Sequence, residues 1–240
     1  MAMHEDKRMI VDGDTMENER EKNGNLELQE RLDKQFSFIL EADKEKMIGR
    51  QTYLSTPVFD NSPKGNASKV RFRKENDAEH AWHLALMTIL LQGYANEPID
   101  VLKTVTMVLL HDIVEIDAGD TYAYDETAKG TQKEREERAA ERIYGLLPED
   151  QAEKLYTIWK EFEERKTPEA RFARAMDNIQ PMMLNHATGG KAWVEHGVHI
   201  DQILKRNQPT PEGSEVLWEY AKEQFLQPNV EAGTIQSCKK

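Results

Sequence analysis

Cysteine is almost missing from this 240-residue chain: the single thiol, Cys238, has no second cysteine to pair with. A disulfide-stapled small fold is excluded, and the composition suits a reducing compartment. Long apolar runs are missing as well. No stretch of 18 apolar residues occurs, and the opening residues MAMHEDKRMIVDGD lack the apolar core of a secretory signal. The expected location is therefore the cytoplasm, away from membranes. Positive charge is in deficit, with 32 Lys and Arg against 44 Asp and Glu and a formal net charge of −12. Such a surface repels phosphate backbones. It argues against a nucleic-acid polymer as partner but leaves room for a pocket that takes one small anion. Internal repeats and alternating strand patterns of useful length are lacking too, so the expected class is all-α.

What is present is mostly helical periodicity. Residues 1–25 are polar and read as a flexible tail, 26–228 as one domain and 229–240 as a second tail. Leu28, Leu32, Phe36, Ile39 and Leu40 recur at three- and four-residue spacing. Residues 55–69, STPVFDNSPKGNASK, read as a loop. The segment from Asp77 to Tyr94 is apolar almost all round, which predicts a buried central helix, with Asn76 and Glu79 as its capping box. A second helix is expected from Pro98 to near Gly119, with Val101, Leu102, Val105, Val108 and Leu109 as its core stripe. Residues 130–146 predict an exposed charged helix, and Pro148 opens another through about Lys166. Thr167-Pro168-Glu169 opens the helix carrying RFARAMDNIQPMMLNH, which Pro181 is expected to kink after Asp177. Beyond 191, one or two short helices are expected around NQPTPEG.

Chemistry is concentrated in LLHDIVEIDAGD, residues 109–120. His111, Asp112, Glu115, Asp117 and Asp120 fall where hydrophobic packing is strongest. A buried unpaired carboxylate costs several kcal/mol or neutralises by a shifted pKa, so this cluster asks for a compensating cation. His80 at the start of the first apolar helix and Asp177 on the stripe of Ala173, Met176, Gln180 and Leu184 are lone polar residues in apolar helices. Two imidazoles and two carboxylates form a mixed nitrogen and oxygen set. It suits one divalent transition metal, Mn²⁺, Fe²⁺, Co²⁺, Ni²⁺ or Zn²⁺, better than Mg²⁺.

The words ENDAEHAWHLAL, MVLLHDIVEIDAGD and RAMDNIQPMML resemble the HD-domain superfamily of metal-dependent phosphohydrolases. The likeness covers roughly residues 30–190 and lies on the branch of the 5′-deoxyribonucleotidases and HD-domain-containing protein 2. The resemblance implies a helical bundle with a buried divalent metal, held by His80, His111, Asp112 and Asp177. It also implies that Glu115 orients or deprotonates the attacking water and that Asp120 is a catalytic acid near the substrate sugar. Arg50, in IGRQTYL, would bind phosphate. The implied substrate is a (deoxy)nucleoside 5′-monophosphate, and the family often forms a homodimer. The chain departs from the pattern at Gln51, where the nucleotidases carry an aromatic residue, and in the long 55–69 loop. Both departures fall on the substrate side.

Alternatives on the same scaffold are a phosphodiesterase or another phosphate-ester hydrolase, and a metal-dependent regulatory module with little turnover. A purely structural metal site leaves Glu115 and Asp120 without a purpose. His83 is expected to be core or hydrogen-bonded support, and Asp117 to cap or face solvent. The basic group Arg71, Arg73 and Lys74 reads as a solvated edge with a possible phosphate role. His186, His196 and His199 lack any framework of ligands. The four tryptophans read as packing, KEREERAAER as an exposed face, and Gly189-Gly190-Lys191 as a helix end without the pattern of a P-loop.

Overall fold

The computed structural model describes residues 13–59, 70–119 and 132–237. Helices dominate it, as the periodicity predicts. Helix α1 (Gly13–Ala42) is followed by a 3₁₀ turn over Asp43–Met47, and α2 (Asp77–Leu91) starts from the expected capping box of Asn76 and Glu79. Next come α3 (Val101–Leu110), α4 (Glu115–Ala118), α5 (Gln132–Tyr144), α6 (Glu149–Glu164) and α7 (Pro168–Ala187). Thr167 caps α7 through its hydroxyl, as its sequence signal predicts. The chain then runs through α8 (Lys191–Glu195), α9 (Ile200–Arg206), α10 (Thr210–Gly213) and α11 (Glu215–Ala221), and after a π-turn α12 (Gln227–Glu231). Among the described residues no helix is long and apolar enough to cross a membrane.

Several expectations need correction. Helix α1 begins at Gly13, inside the segment read as a tail. The chain beyond 229 also packs: Ile235 is fully buried and Gln236 forms a parallel bridge with His199. Two small sheets exist. β1 (Gly49–Tyr53) pairs antiparallel with β4 (Lys74–Asn76), and β2 (Val58–Phe59) with β3 (Val70–Arg71). Strands of two to five residues are too short to alternate visibly. The helix expected through Gly119 breaks after Leu110, turns over 111–114 and resumes as α4, which Gly119 ends at φ 74°. Helix α7 carries Pro181 within its single run Pro168–Ala187.

Packing forms two clusters. The larger joins Leu84 of α2, Met107 and Val108 of α3, Phe162 of α6, Phe172 and Met176 of α7, and Trp193, Ile203 and Trp218 from the C-terminal helices. The smaller joins Phe38, Leu110, Ile113, Val114, Ile143, Tyr144 and Trp159. Met107 and Val108 belong to one cluster and Leu110 and Ile113 to the other, so His111 and Asp112 sit at the seam. Gly213 lets α10 lie directly on α7, because a Cβ there would stand 2.2 Å from the Arg171 carbonyl oxygen. The expectation that α2 is buried all round fails. His80, Leu84 and Met87 face inward, while Trp82, Leu86, Ile89 and Leu90 are exposed, as are Leu102 and Leu109 of α3. On α1, Leu28, Leu32, Phe36, Ile39 and Leu40 also face outward.

Candidate metal centre and its cavity

Four elements bring the site together: β1 carries Arg50, α2 carries His80, the 111–114 turn carries His111 and Asp112, and α7 carries Asp177. His80, His111 and Asp112 offer ligand atoms that all lie within 4.8 Å of one another. Asp177 joins them, with its Oδ1 3.1 Å from His80 Nε2 and 3.7 Å from His111 Nε2. Asp112 Oδ2 is 2.9 Å from His111 Nε2 and 4.0 Å from His80 Nε2. All four ligand candidates from the sequence therefore meet at one point.

Hydrogen bonding sets the imidazoles. The Gln180 amide donates from Nε2 to Glu75 Oε1 at 2.7 Å, which turns Gln180 Oε1 toward His80 Nδ1 at 3.1 Å. A carboxylate only accepts, so the amide orientation is fixed and His80 Nδ1 must donate. His111 Nδ1 likewise donates to the Val108 carbonyl at 2.9 Å. Both Nε2 atoms then present lone pairs toward carboxylate oxygens. Lone pairs facing anions repel unless a proton or a metal ion stands between them. Without metal a proton takes that role at His111. Burial pushes the His111 imidazole down, but Asp112 and Asp177 outweigh it and hold it up at about 10. Asp177 is held well below the ordinary carboxylate range, because bonds from His111 and His80 and the charge of Arg174 overcome its burial. The donor set fits a divalent ion.

Arg50 approaches from β1 and donates through Nη1 to Asp112 Oδ2 at 2.6 Å and to Asp77 Oδ1 at 3.0 Å. Burial opposes its charge, yet Asp112 and Asp77 raise its pKa well above the ordinary value. Asp77 also has the Glu115 carboxyl beside it. Burial, then the charge of Asp112, pushes the Asp77 carboxyl up to about 6. Glu115 lines the cavity beside His111 and Asp112. Asp120 lies outside the described residues.

Sequence reasoning passed over the support of these groups. Arg174, one turn before Asp177, donates to Asp177 Oδ2 at 2.9 Å and to Glu163 Oε1 at 3.3 Å. Its guanidinium lies 4.3 Å over the Phe162 ring, whose edge meets His111. Gln180 on the apolar stripe of α7 was a visible signal, since an amide in a core needs a partner. Asp77 and Glu75 gave none. Glu45, buried in the 3₁₀ turn, faces the same region.

The remaining candidates separate. His83 Nδ1 stands 3.2 Å from Gln180 Nε2 and joins the support of His80. Asp117 is exposed and bound to Arg142. Arg73 is taken up by Glu79, and Lys74 donates to Gln51 Oε1 at 2.5 Å. The Arg71 side chain lies outside the described residues. His196 lines the cavity, His186 contacts Asn229 and His199 contacts the Ser237 carbonyl. The cavity has a volume of about 1110 Å³. It runs from Arg50, His111, Asp112 and Asp177 toward α6 and α9.

A helical domain with a two-histidine, two-aspartate centre at the floor of a cavity is thus defined before any relative is considered. The HD-domain family model matches residues 64–218, and the chain belongs to that family. A solved structure described as a "predicted metal-dependent phosphohydrolase" from Magnetospirillum magnetotacticum MS-1 is 42% identical, with a TM-score of 0.74. That likeness covers 85% of this chain and 95% of the other. The 5′-deoxynucleotidase HDDC2 of Homo sapiens is 30% identical over 111 residues, which are 46% of this chain and 53% of the relative. Its counterpart from Danio rerio is 26% identical over 112 residues, 47% and 54% of the two chains. The chain spans about half the length of these curated relatives.

Proposed function

We propose that the chain is a metal-dependent phosphohydrolase that converts nucleoside 5′-monophosphates, deoxyribonucleotides foremost, to nucleoside and phosphate. One observation carries this reading: both histidines are tied at Nδ1 so that their Nε2 atoms converge with Asp112 and Asp177 beside an arginine at the cavity floor. The names of the similar proteins support the substrate class.

In this proposal His80, His111, Asp112 and Asp177 hold one divalent transition metal, Mn²⁺, Fe²⁺, Co²⁺, Ni²⁺ or Zn²⁺. When bound, it polarises a phosphoryl oxygen and lowers the pKa of water. Arg50 uses the part of its guanidinium fork not given to Asp112 and Asp77 to orient the phosphate. Glu115 takes the proton of the attacking water, whose oxygen bonds to phosphorus as the bond to the sugar oxygen breaks. Asp120 returns a proton to that leaving oxygen or accepts a sugar hydroxyl.

The test is phosphate release from ribo- and deoxyribonucleoside 5′-monophosphates and from non-nucleotide esters, with each metal in turn and Asp112→Ala as the blank. Metal-dependent release from the deoxynucleotides is expected. Tightly bound metal with silence across the nucleotides would end the nucleotidase reading.

The proposal extends to a homodimer. Trp82, Leu86, Ile89 and Leu90 on α2, with Leu102 on α3, form an exposed apolar face, Trp82 being 64% and Leu90 68% exposed. Large uncovered apolar patches are uncommon on monomers. Sedimentation as a species of twice 27.7 kDa is expected, and a lone monomer at micromolar concentration would refute the dimer.

A further inference from the structure

Three arginines line the cavity, Arg174 beside the centre and Arg165 and Arg206 at exposed positions on its wall. Arg174 begins the series from its bond to Asp177. Its Nε is buried and has no hydrogen-bond partner among the described residues. Arg165 closes α6 and lines the cavity, as does Arg206 in the last turn of α9. Neither Arg165 nor Arg206 has a side-chain hydrogen bond or ion pair among the described residues. Glu163 is bound to Arg174, and Glu164 and Asp201 also line the cavity, so acidic groups are present but leave these two guanidiniums unpaired.

Arg165 is also the only non-glycine among the described residues with a positive φ, at 56°. Glycine or asparagine is the usual residue at such a helix end, because a side chain is strained there. Here the left-handed backbone carries a long cationic one. Repulsion from Arg174, then burial, lowers the Arg165 pKa; Glu163 and Asp177 oppose this, and Arg206 adds to it. Such a set is stabilised by a bound anion, and a guanidinium fork matches a phosphate. The cavity, at about 1110 Å³, also exceeds the roughly 300–1,000 Å³ of ordinary small-molecule sites.

We propose that Arg165, Arg174 and Arg206 form a second anion subsite, which holds a phosphate of the substrate other than the one hydrolysed. Among nucleosides phosphorylated at the 5′ position, those with a second, separate phosphate on the sugar are then preferred over the simple monophosphates. This rests on reading the inner end of the cavity as the place of hydrolysis.

The experiment compares 2′-deoxyadenosine 5′-monophosphate with 2′-deoxyadenosine 3′,5′-bisphosphate. kcat/KM for each is measured on the full wild-type chain and on an Arg165→Gly, Arg206→Gln double variant. Glycine suits the backbone at 165, so a melting temperature no lower than wild type is expected. The wild type should favour the bisphosphate, and the variant should lose about tenfold of that preference for each charge-assisted contact removed. No preference in the wild type, or an equal preference in the variant, overturns the subsite. Calorimetric titration with the bisphosphate separates this from failure of the hydrolase reading. If neither ester is hydrolysed but the variant binds the bisphosphate at least tenfold more weakly, the subsite stands and the hydrolase reading falls. Equal affinities in the two proteins overturn the subsite.

Discussion

Asp177 and Asp112 reach the same centre on different kinds of support. Helix α7 is an unbroken run of 20 residues. One turn before Asp177 it places Arg174 on the outer carboxylate oxygen, and one turn after it places Gln180 against His80. Spacing of three residues on one helix does this without help from elsewhere. Asp112 instead lies in the turn between α3 and α4. It is held by His111 and by an arginine from a strand 62 residues away in sequence. Regular helix thus sets one side of the centre, and tertiary contacts set the other. Metal affinity should depend most on the α7 side, while the α4 side, with Glu115, is where chemistry can be altered without losing the ion.

The largest expected effect sharpens this contrast. Glu115→Gln should lower kcat by about 10²–10⁴-fold with metal content unchanged; normal turnover in metal-loaded protein would assign the base to another group. Next comes Gln180→Leu, which leaves His80 Nδ1 without its acceptor. Metal affinity should fall by roughly 10–100-fold. Titration with Co²⁺ showing wild-type affinity would mean that the helix alone positions the imidazole.

A separate effect, read in stability and not in turnover or metal affinity, falls on the α4 side. Burial first, then the charge of Asp112, pushes the Glu45 carboxyl from about 4.5 up to about 8, against the charge of His111. The folded state therefore favours the protonated acid. Its contribution is complete below about pH 4.5 and is lost as pH rises through about 8. Glu45→Gln should match the wild type near pH 4.5 and exceed it by about 2–4 kcal/mol at pH 8. Coincident urea-unfolding curves for the two proteins at both pH values would refute a buried neutral Glu45.

His80, His111, Asp112 and Asp177 were legible because each interrupts an apolar helical stripe, where a charge needs a partner. The caps at Asn76 and Thr167 were legible because capping is local. The break after Leu110 was not, since apolar spacing continues across it and the split appears only when two core clusters claim the two sides. Periodicity finds apolar faces but cannot say which one meets the core, which is why the outward side of α2 was misjudged. Asp77 and Glu75 look like ordinary charges in KVRFRKEND until β1 and Arg50 come alongside. Arg165 stands in the charged run EFEERKT, and only its backbone angle sets it apart.

The pairing of β1 with β4 has a further consequence. Arg50 and Asp77 are 27 residues apart, yet the strand ladder and the bond from the Asp77 amide to the Ile48 carbonyl, at 3.2 Å, close the chain at their level. The span between these strands, inside which β2 pairs with β3, is therefore closed at both ends. The entropy of closing such a loop grows only slowly with its length, about 0.6 kcal/mol per doubling. A change in the number of residues between β2 and β3 should leave the arginine in place relative to the histidine helix. The hairpin therefore gives the protein a place where its outer surface is free to diverge while the centre beneath keeps its geometry.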